Sequence, residues 1–299
     1  MVLLGVVLAG LVVVCYQLMV QHGRMVLRIE ALEKSHYNSN AGMTAPEGHP
    51  LWRFSTGNQW EADNVWGSIF MQDEYGIRNQ HFEPEDIVVD VGAHIGTFSY
   101  LCYIRGSRSV YSYEASARNF EFLQRNLGGL PGIRLFHKAV WRSDGEGGGE
   151  LLVSGPDGQN TGAVSALAAG RLVHFSNQSV SEAGPGSSVP AVALDEILAD
   201  FPRVKLLKLD CEGSEFPILL TSRELHRVER IVAEVHEIGE PAMALLEPRA
   251  RVHGYTAYAL ADLVALLEGA GFRVSSRAGG EDRLHLVDAV RPAEATATA

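Results

Sequence analysis

From Ile87 onward, short apolar runs alternate with amphipathic stretches, a pattern typical of β-strands followed by α-helices. The apolar runs predict strands at 87–91, 109–114, 133–137, 205–210, 230–236, 271–276 and 283–288. The stretches between them predict helices at 95–105, 116–127, 194–200, 214–226 and 258–269. Repeated βα alternation predicts an α/β fold with a doubly wound, mostly parallel sheet. Only residues 277–282 separate the last two strands, so these are expected to form an antiparallel hairpin, because a tight turn cannot connect parallel neighbours.

The beginning of the chain has the composition of a membrane anchor. Residues 2–20 carry no charged side chain, and a helix of that length spans roughly 28 Å, close to the hydrocarbon core of a bilayer. No basic residue precedes the apolar run and no small-residue cleavage pattern follows it, which favours an anchor at 1–22 over a signal peptide. Basic residues at 24, 28 and 34 follow the run, and by the positive-inside rule they favour a cytosolic position for the rest of the chain.

The remaining segments are distinguished by composition. Residues 23–50 are predicted to be a stem or linker, and the aromatic-rich segment 51–84 is predicted to cover the main domain, lining one wall of a substrate cleft or simply packing the core. The main domain is expected at 85–288, with Gly-, Ser- and Pro-rich loops at 142–150 and 176–188. The Ala- and Thr-rich residues 289–299 are expected to form a disordered tail.

The first predicted strand of the main domain ends in a pattern that indicates a cofactor site. Residues 86–96 form an apolar run that ends in Asp90 and continues through a glycine turn into a helix start. Gly92 permits a tight turn and close backbone approach, while Gly96 lets the following helix pack on the strand. The N–H groups at the helix start and the Asp90 carboxylate are then expected to face a ligand. A strand-to-helix turn without a ligand is the alternative interpretation.

The spacing of the glycines indicates which ligand fits. A dinucleotide site has the pattern G-x-G-x-x-G, whereas an acid stands here in the place of the first glycine. That acid would repel a pyrophosphate but suits S-adenosylmethionine, which has an amino-acid end, a sulfonium and a ribose. Glu114 follows the turn by about twenty residues, at the end of the second strand, where an acid binds ribose hydroxyls.

Further polar residues lie where the fourth and fifth strands of the predicted sheet end. Asp210 and Glu212 follow one strand, and Glu234 and His236 lie at the end of the next. Because the carboxyl ends of parallel strands meet at one edge of a sheet, these side chains are expected to converge near the glycine turn. Buried polar groups are costly unless paired, so a function or a hydrogen-bond network must account for them.

Composition excludes several classes of function. A formal net charge of −11 supplies no basic face for phosphates, so a nucleic-acid partner is not expected. Three scattered cysteines are too few for a disulfide framework or a zinc site.

Taken together, the motifs resemble the FkbM family of S-adenosylmethionine-dependent methyltransferases over roughly residues 70–275. The resemblance rests on Val89-Asp90-Val91-Gly92-Ala93-His94-Ile95-Gly96, Tyr113-Glu114-Ala115, Lys138-Ala139-Val140, Leu207-Lys208-Leu209-Asp210-Cys211-Glu212-Gly213-Ser214-Glu215 and Glu234-Val235-His236. His94 stands where the family usually has Asn, and Ala115 where it usually has Pro. The resemblance implies a Rossmann-like class I methyltransferase fold and transfer of a methyl group to an oxygen.

Roles for individual residues follow from the resemblance as hypotheses. Cofactor binding is expected from Asp90, Gly92, Ala93, His94, Gly96, Glu114, Ala139, Val140 and Asp144. In this set Asp90 holds the amino-acid end of the cofactor directly or through neighbouring amides, Glu114 the ribose, Ala139 and Val140 the adenine faces, and Asp144 the adenine amino group. The general base is expected to be Asp210 by position or His236 by its ordinary pKa, with Glu212 orienting the acceptor. An alternative in which an Asp/Glu pair holds Mg²⁺ to activate the hydroxyl stays open.

The expected acceptor is a hydroxyl of a sugar, glycan, lipid or natural product. Two other classes of function compete with methyl transfer. One is a nicotinamide-dependent oxidoreductase, which the missing first glycine disfavours; the other is a membrane-tethered, non-catalytic binding protein on a methyltransferase scaffold.

Overall fold

The computed structural model describes residues 59–145, 149–155, 165–168, 171–174, 178–182 and 186–292. The predicted anchor at 1–22 and linker at 23–50 lie outside these residues, as does the tail from residue 293. In the described part of the chain, no helix combines the length and apolar character needed to cross a membrane.

The described elements follow the predicted alternation. The strands are β1 Ile87–Val91, β2 Ser109–Glu114, β3 Ile133–His137, β4 Ala139–Trp141, β5 Glu150–Val153, β6 Arg171–His174, β7 Ser179–Glu182, β8 Ser187–Ala193, β9 Leu206–Leu209, β10 Arg230–His236, β11 Arg273–Ala278 and β12 Leu284–Val290. The helices are α1 Gln59–Trp66, α2 Thr97–Ile104, α3 Ala117–Leu127, α4 Leu194–Ala199, α5 Glu215–Thr221, α6 Glu240–Met243 and α7 Leu260–Gly269. A π-helical turn, Gly67–Met71, continues α1, and 3₁₀ turns form at Leu225–Arg227 and Pro248–Ala250.

The main sheet of the described residues has the strand order β11-β12-β10-β9-β1-β2-β3. Strands β3, β2, β1, β9 and β10 run parallel, whereas β12 pairs antiparallel with both β10 and β11. The predicted C-terminal hairpin is therefore confirmed. The central strands β1 and β9 are mostly apolar, and all their residues but Ile87 are buried, as is usual for parallel strands inside a sheet.

Three details of the prediction are wrong. Strands β5, β7 and β8 occupy parts of the segments predicted as loops. These strands are short, and they form because they pair in two small sheets, β4-β8-β5 and β6-β7. Strand β12 includes Ala289, placed in the disordered tail, because Ala289 is fully buried between β10 and β11. The helix predicted at 214–226 ends at Thr221, where the Asp195 carboxylate accepts hydrogen bonds from Ser222 Oγ and the Arg223 N–H and stops the helix.

The described part of the aromatic-rich cover packs against α2. Phe70 lies with its ring centroid 6.2 Å from that of Tyr100, and Tyr75 meets Phe98 edge to face at 5.4 Å. These ring contacts bring Tyr75 to the edge of the sheet at which β1 and β9 end.

Candidate active site

A cavity of about 530 Å³ lies at the carboxyl ends of β1, β2, β9 and β10. Its volume lies within the roughly 300–1,000 Å³ usual for small-molecule and cofactor sites. Of the residues predicted for the site, the lining includes Gly92, Ala93, His94, Glu114, Ala139, Val140, Asp210 and Glu212. The cover segment supplies another wall through Asn64, Val65, Ser68, Ile69, Glu74 and Tyr75.

The glycine turn after β1 is fixed from two sides. Gly92 has φ +74°, and a Cβ atom there would lie 1.8 Å from the backbone oxygen of Asp210. The N–H groups of Gly92 and Ala93 both donate to the carbonyl of Tyr113, at 3.0 and 2.9 Å. The lack of a side chain at Gly92 therefore allows the turn to approach the end of β9. The end of β2 thus takes up the N–H groups of Gly92 and Ala93. That the N–H groups at the helix start face a ligand stays a prediction.

Gly96 has a packing role in the structure. Its φ is +101°, and a Cβ atom would lie 2.6 Å from Leu127 and 2.8 Å from Leu123, both on α3. Gly96 thus lets the start of α2 approach α3 closely, which sets the direction in which α2 leaves the turn.

Glu114 is held at the cavity wall by backbone donors. Its Oε2 accepts the His94 N–H at 2.8 Å, and its Oε1 accepts the Ser116 N–H at 2.7 Å. Burial raises the pKa of Glu114, while His94 and the two N–H donors act in the opposite direction. Each carboxylate oxygen keeps a lone pair, so Glu114 can still accept hydrogen bonds from ligand hydroxyls.

The left-handed backbone at position 94 accounts for the residue types found there. His94 has φ +51°, a conformation that Asn, Asp and His adopt more readily than other residues with side chains. The replacement of the usual Asn by His therefore preserves the turn, and His94 lines the cavity.

Asp90 lies beneath the turn and outside the cavity lining. It is fully buried; Oδ2 accepts from Ser99 Oγ at 2.6 Å, and Oδ1 lies 3.4 Å from Lys208 Nζ. The expectation that the Asp90 carboxylate faces the ligand is wrong, because Ser99 and Lys208 turn it into the protein interior. An effect of Asp90 on the cofactor would have to pass through these neighbours.

Lys208 lines the cavity, although the sequence motifs assigned no role to it. Its ammonium group, on a side chain 4% exposed, donates to the carbonyl of Gly92 at 2.7 Å and lies 3.4 Å from carboxylate oxygens of both Asp90 and Asp210. Burial acts to lower the pKa of Lys208, but Asp210 and Asp90 outweigh it and raise the pKa. The sequence did contain a sign of this role, because Lys208 interrupts the otherwise apolar strand Leu206–Leu209. A fully buried lysine almost always has a charged partner, so its position indicated a buried ion pair.

Asp210 reaches the cavity with its charge retained. Its Oδ2 accepts from the Tyr75 hydroxyl at 3.1 Å and lies 3.4 Å from Lys208 Nζ. Burial acts to raise the pKa of Asp210, but Lys208, His236 and the Tyr75 hydrogen bond outweigh burial and lower it. Burial and the charge of Asp210 raise the pKa of Tyr75 well above its usual value. At neutral pH Tyr75 is therefore a proton donor to an ionised Asp210.

His236 is surrounded by glutamates. Its Nε2 lies 3.6 Å from Glu212 and 3.7 Å from Glu234, and its Nδ1 lies 3.7 Å from Glu215. Burial acts to lower the pKa of His236, but the close Glu215 carboxylate, followed by the electrostatic effects of Glu212 and Glu234, raises it to about 10. His236 therefore keeps its proton at neutral pH and is absent from the cavity lining, which argues against the hypothesis that it is the general base.

Two carboxyls of this cluster line the cavity and are unusually weak acids. Burial raises the pKa of Glu212 to about 8, although His236 acts to lower it. Burial and the charge of Asp210 raise the pKa of Glu234 to about 9. Glu212 has φ +54°, a strained backbone for a residue with a side chain, and its carbonyl accepts a hydrogen bond from Ser165 Oγ at 2.9 Å.

Asp144 lies away from the cavity lining. Its carboxylate pairs with Arg142, whose Nη1 in turn donates to the carbonyls of Arg249 and Arg251 at 2.9 and 3.0 Å. The ion pair holds the Asp144 carboxylate against Arg142, outside the cavity lining, so the geometry does not support its predicted contact with adenine. Ala139 and Val140 do line the cavity, beside Val153 and Ala166.

The arrangement of donors does not support the magnesium hypothesis. Among the residues that the structure describes, no three His, Cys, Asp or Glu side chains are placed to hold a metal ion. Asp210 and Glu212, the two acids after β9, are paired with different cations, Lys208 and His236.

The residues present do fit S-adenosylmethionine. Glu114 provides acceptors for ribose hydroxyls, and the strip formed by Ala139, Val140, Val153 and Ala166 provides an apolar wall for a flat ring. A mostly parallel sheet with antiparallel strands at one edge, and a glycine turn between its first strand and the following helix, defines a methyltransferase-like α/β fold. The family model described as the methyltransferase FkbM domain matches residues 90–274, more than half of the chain. The chain belongs to the FkbM methyltransferase family.

Individual relatives extend the comparison. The chain is 26% identical to the 31-O-demethyl-FK506 methyltransferase FkbM of Streptomyces tacrolimicus, over 73% of this chain and 84% of that protein. It is 30% identical to the AMB antimetabolite synthetase AmbE of Pseudomonas aeruginosa, over 82% of this chain, and it spans 13% of the length of that synthetase. Among solved structures, the methyltransferase FkbM of Methylobacillus flagellatus KT superimposes with a TM-score of 0.40 and 14% identity, over 75% of this chain and 47% of that one.

Proposed function

We propose that this protein transfers the methyl group of S-adenosylmethionine to a hydroxyl oxygen. The observation that carries the proposal is that the Asp210 carboxylate, 3.4 Å from Lys208 Nζ, lines the same cavity as the glycine turn and Glu114. The lowered pKa of Asp210 keeps this carboxylate ionised at neutral pH. S-adenosylmethionine supplies a methyl group on a sulfonium, which makes that methyl open to attack by an oxygen.

The cofactor half of the cavity lies at the ends of β1 and β2. Glu114 would accept the ribose hydroxyls, and His94, on the turn fixed by Gly92, lies at the same wall. The apolar strip that includes Ala139 and Val140 would pack against the adenine ring. These residues would align the cofactor with the acceptor, and alignment accounts for much of the rate in a displacement of this kind.

The acceptor half lies at the ends of β9 and β10, where Asp210 accepts a hydrogen bond from the acceptor hydroxyl. As the acceptor oxygen would form its bond to the methyl carbon, the methyl–sulfur bond would break and its electron pair would stay on sulfur, leaving neutral S-adenosylhomocysteine. The hydroxyl proton would then become strongly acidic. A carboxylate of lowered pKa can therefore take this proton, although it is a weak base. Tyr75 and Lys208 hold Asp210 in place while Glu212, at the adjacent wall, orients the acceptor.

The acceptor is proposed to be a hydroxyl of a sugar, glycan, lipid or natural product. The Streptomyces tacrolimicus relative is a 31-O-demethyl-FK506 methyltransferase, which supports oxygen as the acceptor atom here. Membrane attachment through residues 1–22, with the catalytic domain in the cytosol, stays a prediction from the sequence, and it favours an acceptor at or near the membrane.

The proposal is tested with the full chain in mild detergent, using S-adenosylmethionine with a tritiated methyl group and a panel of hydroxylated acceptors. Asp210→Asn is expected to abolish methyl transfer while S-adenosylmethionine still binds, as measured by calorimetry. Asp144→Asn is the matched control; it removes a similar charge outside the cavity and should keep both properties. Full activity in Asp210→Asn would remove Asp210 from the mechanism. A folded wild-type chain that binds no S-adenosylmethionine would favour the non-catalytic scaffold.

A further inference from the structure

We infer that Lys208 is a positioning residue that ties the cofactor-binding turn to Asp210, so that the two halves of the cavity form as one unit. The inference rests on the proposed function only for the identity of the cofactor. No role for Lys208 follows from the family match itself.

Contacts of the ammonium group carry the inference. Lys208 Nζ donates to the carbonyl of Gly92 at 2.7 Å and lies 3.4 Å from the carbonyl of Val91, so it holds the last residue of β1 and the first residue of the turn. The same nitrogen lies 3.4 Å from Asp90 Oδ1 and 3.4 Å from Asp210 Oδ2. One cation thus contacts the turn, the acid beneath the turn and the acid of the acceptor half.

The surroundings of Lys208 leave little room for it to move. Its ammonium lies 5.9 Å from the ring centroids of both Tyr75 and Phe98, which enclose it from the cover and from α2. Tyr75 also donates to Asp210, so the cation and the hydroxyl fix the same carboxylate oxygen. The enclosed ammonium thus links the Gly92 carbonyl to the Asp210 carboxylate and sets their relative position.

Removing the cation affects both halves of the cavity. In Lys208→Met, the carboxylates of Asp90 and Asp210 lose their common counter-charge, and the Gly92 carbonyl loses its donor. Loss of a charged hydrogen bond to the turn is expected to weaken S-adenosylmethionine binding by about tenfold to a hundredfold. If Lys208 connects the two halves, neutralising Asp210 as well should restore part of that loss, because the unpaired charge is then gone.

The test is a double-mutant cycle on the full chain, with Lys208→Met, Asp210→Asn and the double variant. S-adenosylmethionine affinity is measured by calorimetry, and stability by urea unfolding. Lys205→Met is the control, because Lys205 pairs with Glu229 at 3.0 Å outside the cavity lining. If Lys208→Met does not fold, Lys208→Gln takes its place, because glutamine keeps a hydrogen-bond donor at this position. The double variant can also be measured, because it lacks the unpaired charge of Asp210.

The expected result is a loss of affinity in Lys208→Met, partial recovery in the double variant and wild-type affinity in Lys205→Met. Wild-type affinity in Lys208→Met, or strictly additive effects in the cycle, would overturn the inference. If the wild-type chain binds no S-adenosylmethionine, the proposed cofactor is wrong. In that case the free energies of unfolding of the single and double variants decide whether Lys208 and Asp210 are coupled. If the two single-variant losses in stability add up to the loss in the double variant, the inference is overturned.

Discussion

Gly92→Ala is the substitution that most directly tests how the turn is built. An alanine at φ +74° adopts a left-handed backbone, which costs about 1–2 kcal/mol. Its Cβ would also lie 1.8 Å from the backbone oxygen of Asp210, whereas ordinary contacts begin at 3.4 Å. The turn and the end of β9 must therefore separate by more than an ångström.

That separation stretches the hydrogen bonds that fix the turn. The Tyr113 carbonyl accepts from two N–H groups of the turn, and Lys208 donates to the Gly92 carbonyl. Weakening these bonds adds roughly 2–3 kcal/mol to the conformational cost, for a total destabilisation of about 3–5 kcal/mol. In a domain of this size the melting temperature would fall by roughly 10 °C.

Gly254→Ala is the matched control. Gly254 has φ +93°, but a Cβ atom there meets nothing within 4 Å, so the substitution carries the backbone cost without the clash. Thermal unfolding and S-adenosylmethionine calorimetry on both variants separate the two contributions. We expect Gly254→Ala to lose about 1–2 kcal/mol and to bind normally, and Gly92→Ala to lose clearly more and to bind poorly. Equal losses in the two variants, with binding retained in both, would refute the close approach of the turn to β9.

Three further predictions follow from the site. Tyr75→Phe removes one hydrogen-bond donor to Asp210 and should lower kcat by roughly tenfold without changing cofactor affinity. Tyr258→Phe is the control, because it removes a buried hydroxyl outside the cavity and should lower stability alone. Equal kinetics in the two variants would exclude the role of Tyr75. Glu114→Gln replaces one of two acceptors of backbone N–H groups and should weaken S-adenosylmethionine binding by roughly tenfold in calorimetry, whereas unchanged affinity would contradict the ribose role. The pKa of His236 is raised to about 10, so its stabilising charge is complete below its unfolded pKa of about 6.5 and is lost as the pH rises toward about 10. Urea unfolding should show stability falling over that range, with a smaller slope in His236→Gln, and a rise in wild-type stability would be inconsistent with a protonated His236.

The main sheet could be predicted from the sequence because its central strands are short, mostly apolar runs. Strands β1, β2, β3 and β10 begin and end where the pattern predicts. The small sheets could not be predicted in this way. Strand β8 has a single buried residue, Val189, and it forms by pairing with β4 and β5, which lie more than thirty positions earlier in the sequence.

The location of the site residues could be predicted better than their hydrogen-bond partners and protonation states. The rule that parallel strands end at one edge was enough to bring Glu114, Asp210 and Glu212 to one cavity. Tyr75 could not be connected to Asp210, because the two residues are 135 positions apart and the cover has no strand or helix pattern that points to the site. The protonation of His236 depends on three glutamates that surround it in the folded chain. The sequence alone suggested only the ordinary histidine pKa, because it does not show which acids lie next to His236.

Transfer of a ¹³C-labelled methyl group from S-adenosylmethionine tests the central claim most directly. The full chain is incubated with the labelled cofactor and a small-molecule and lipid extract of its own cells, and the products are examined by NMR. The account predicts new signals in the methoxy region that are absent with Asp210→Asn. Labelled methyl found only on nitrogen or carbon, or no labelled product from a chain that binds the cofactor, would contradict it.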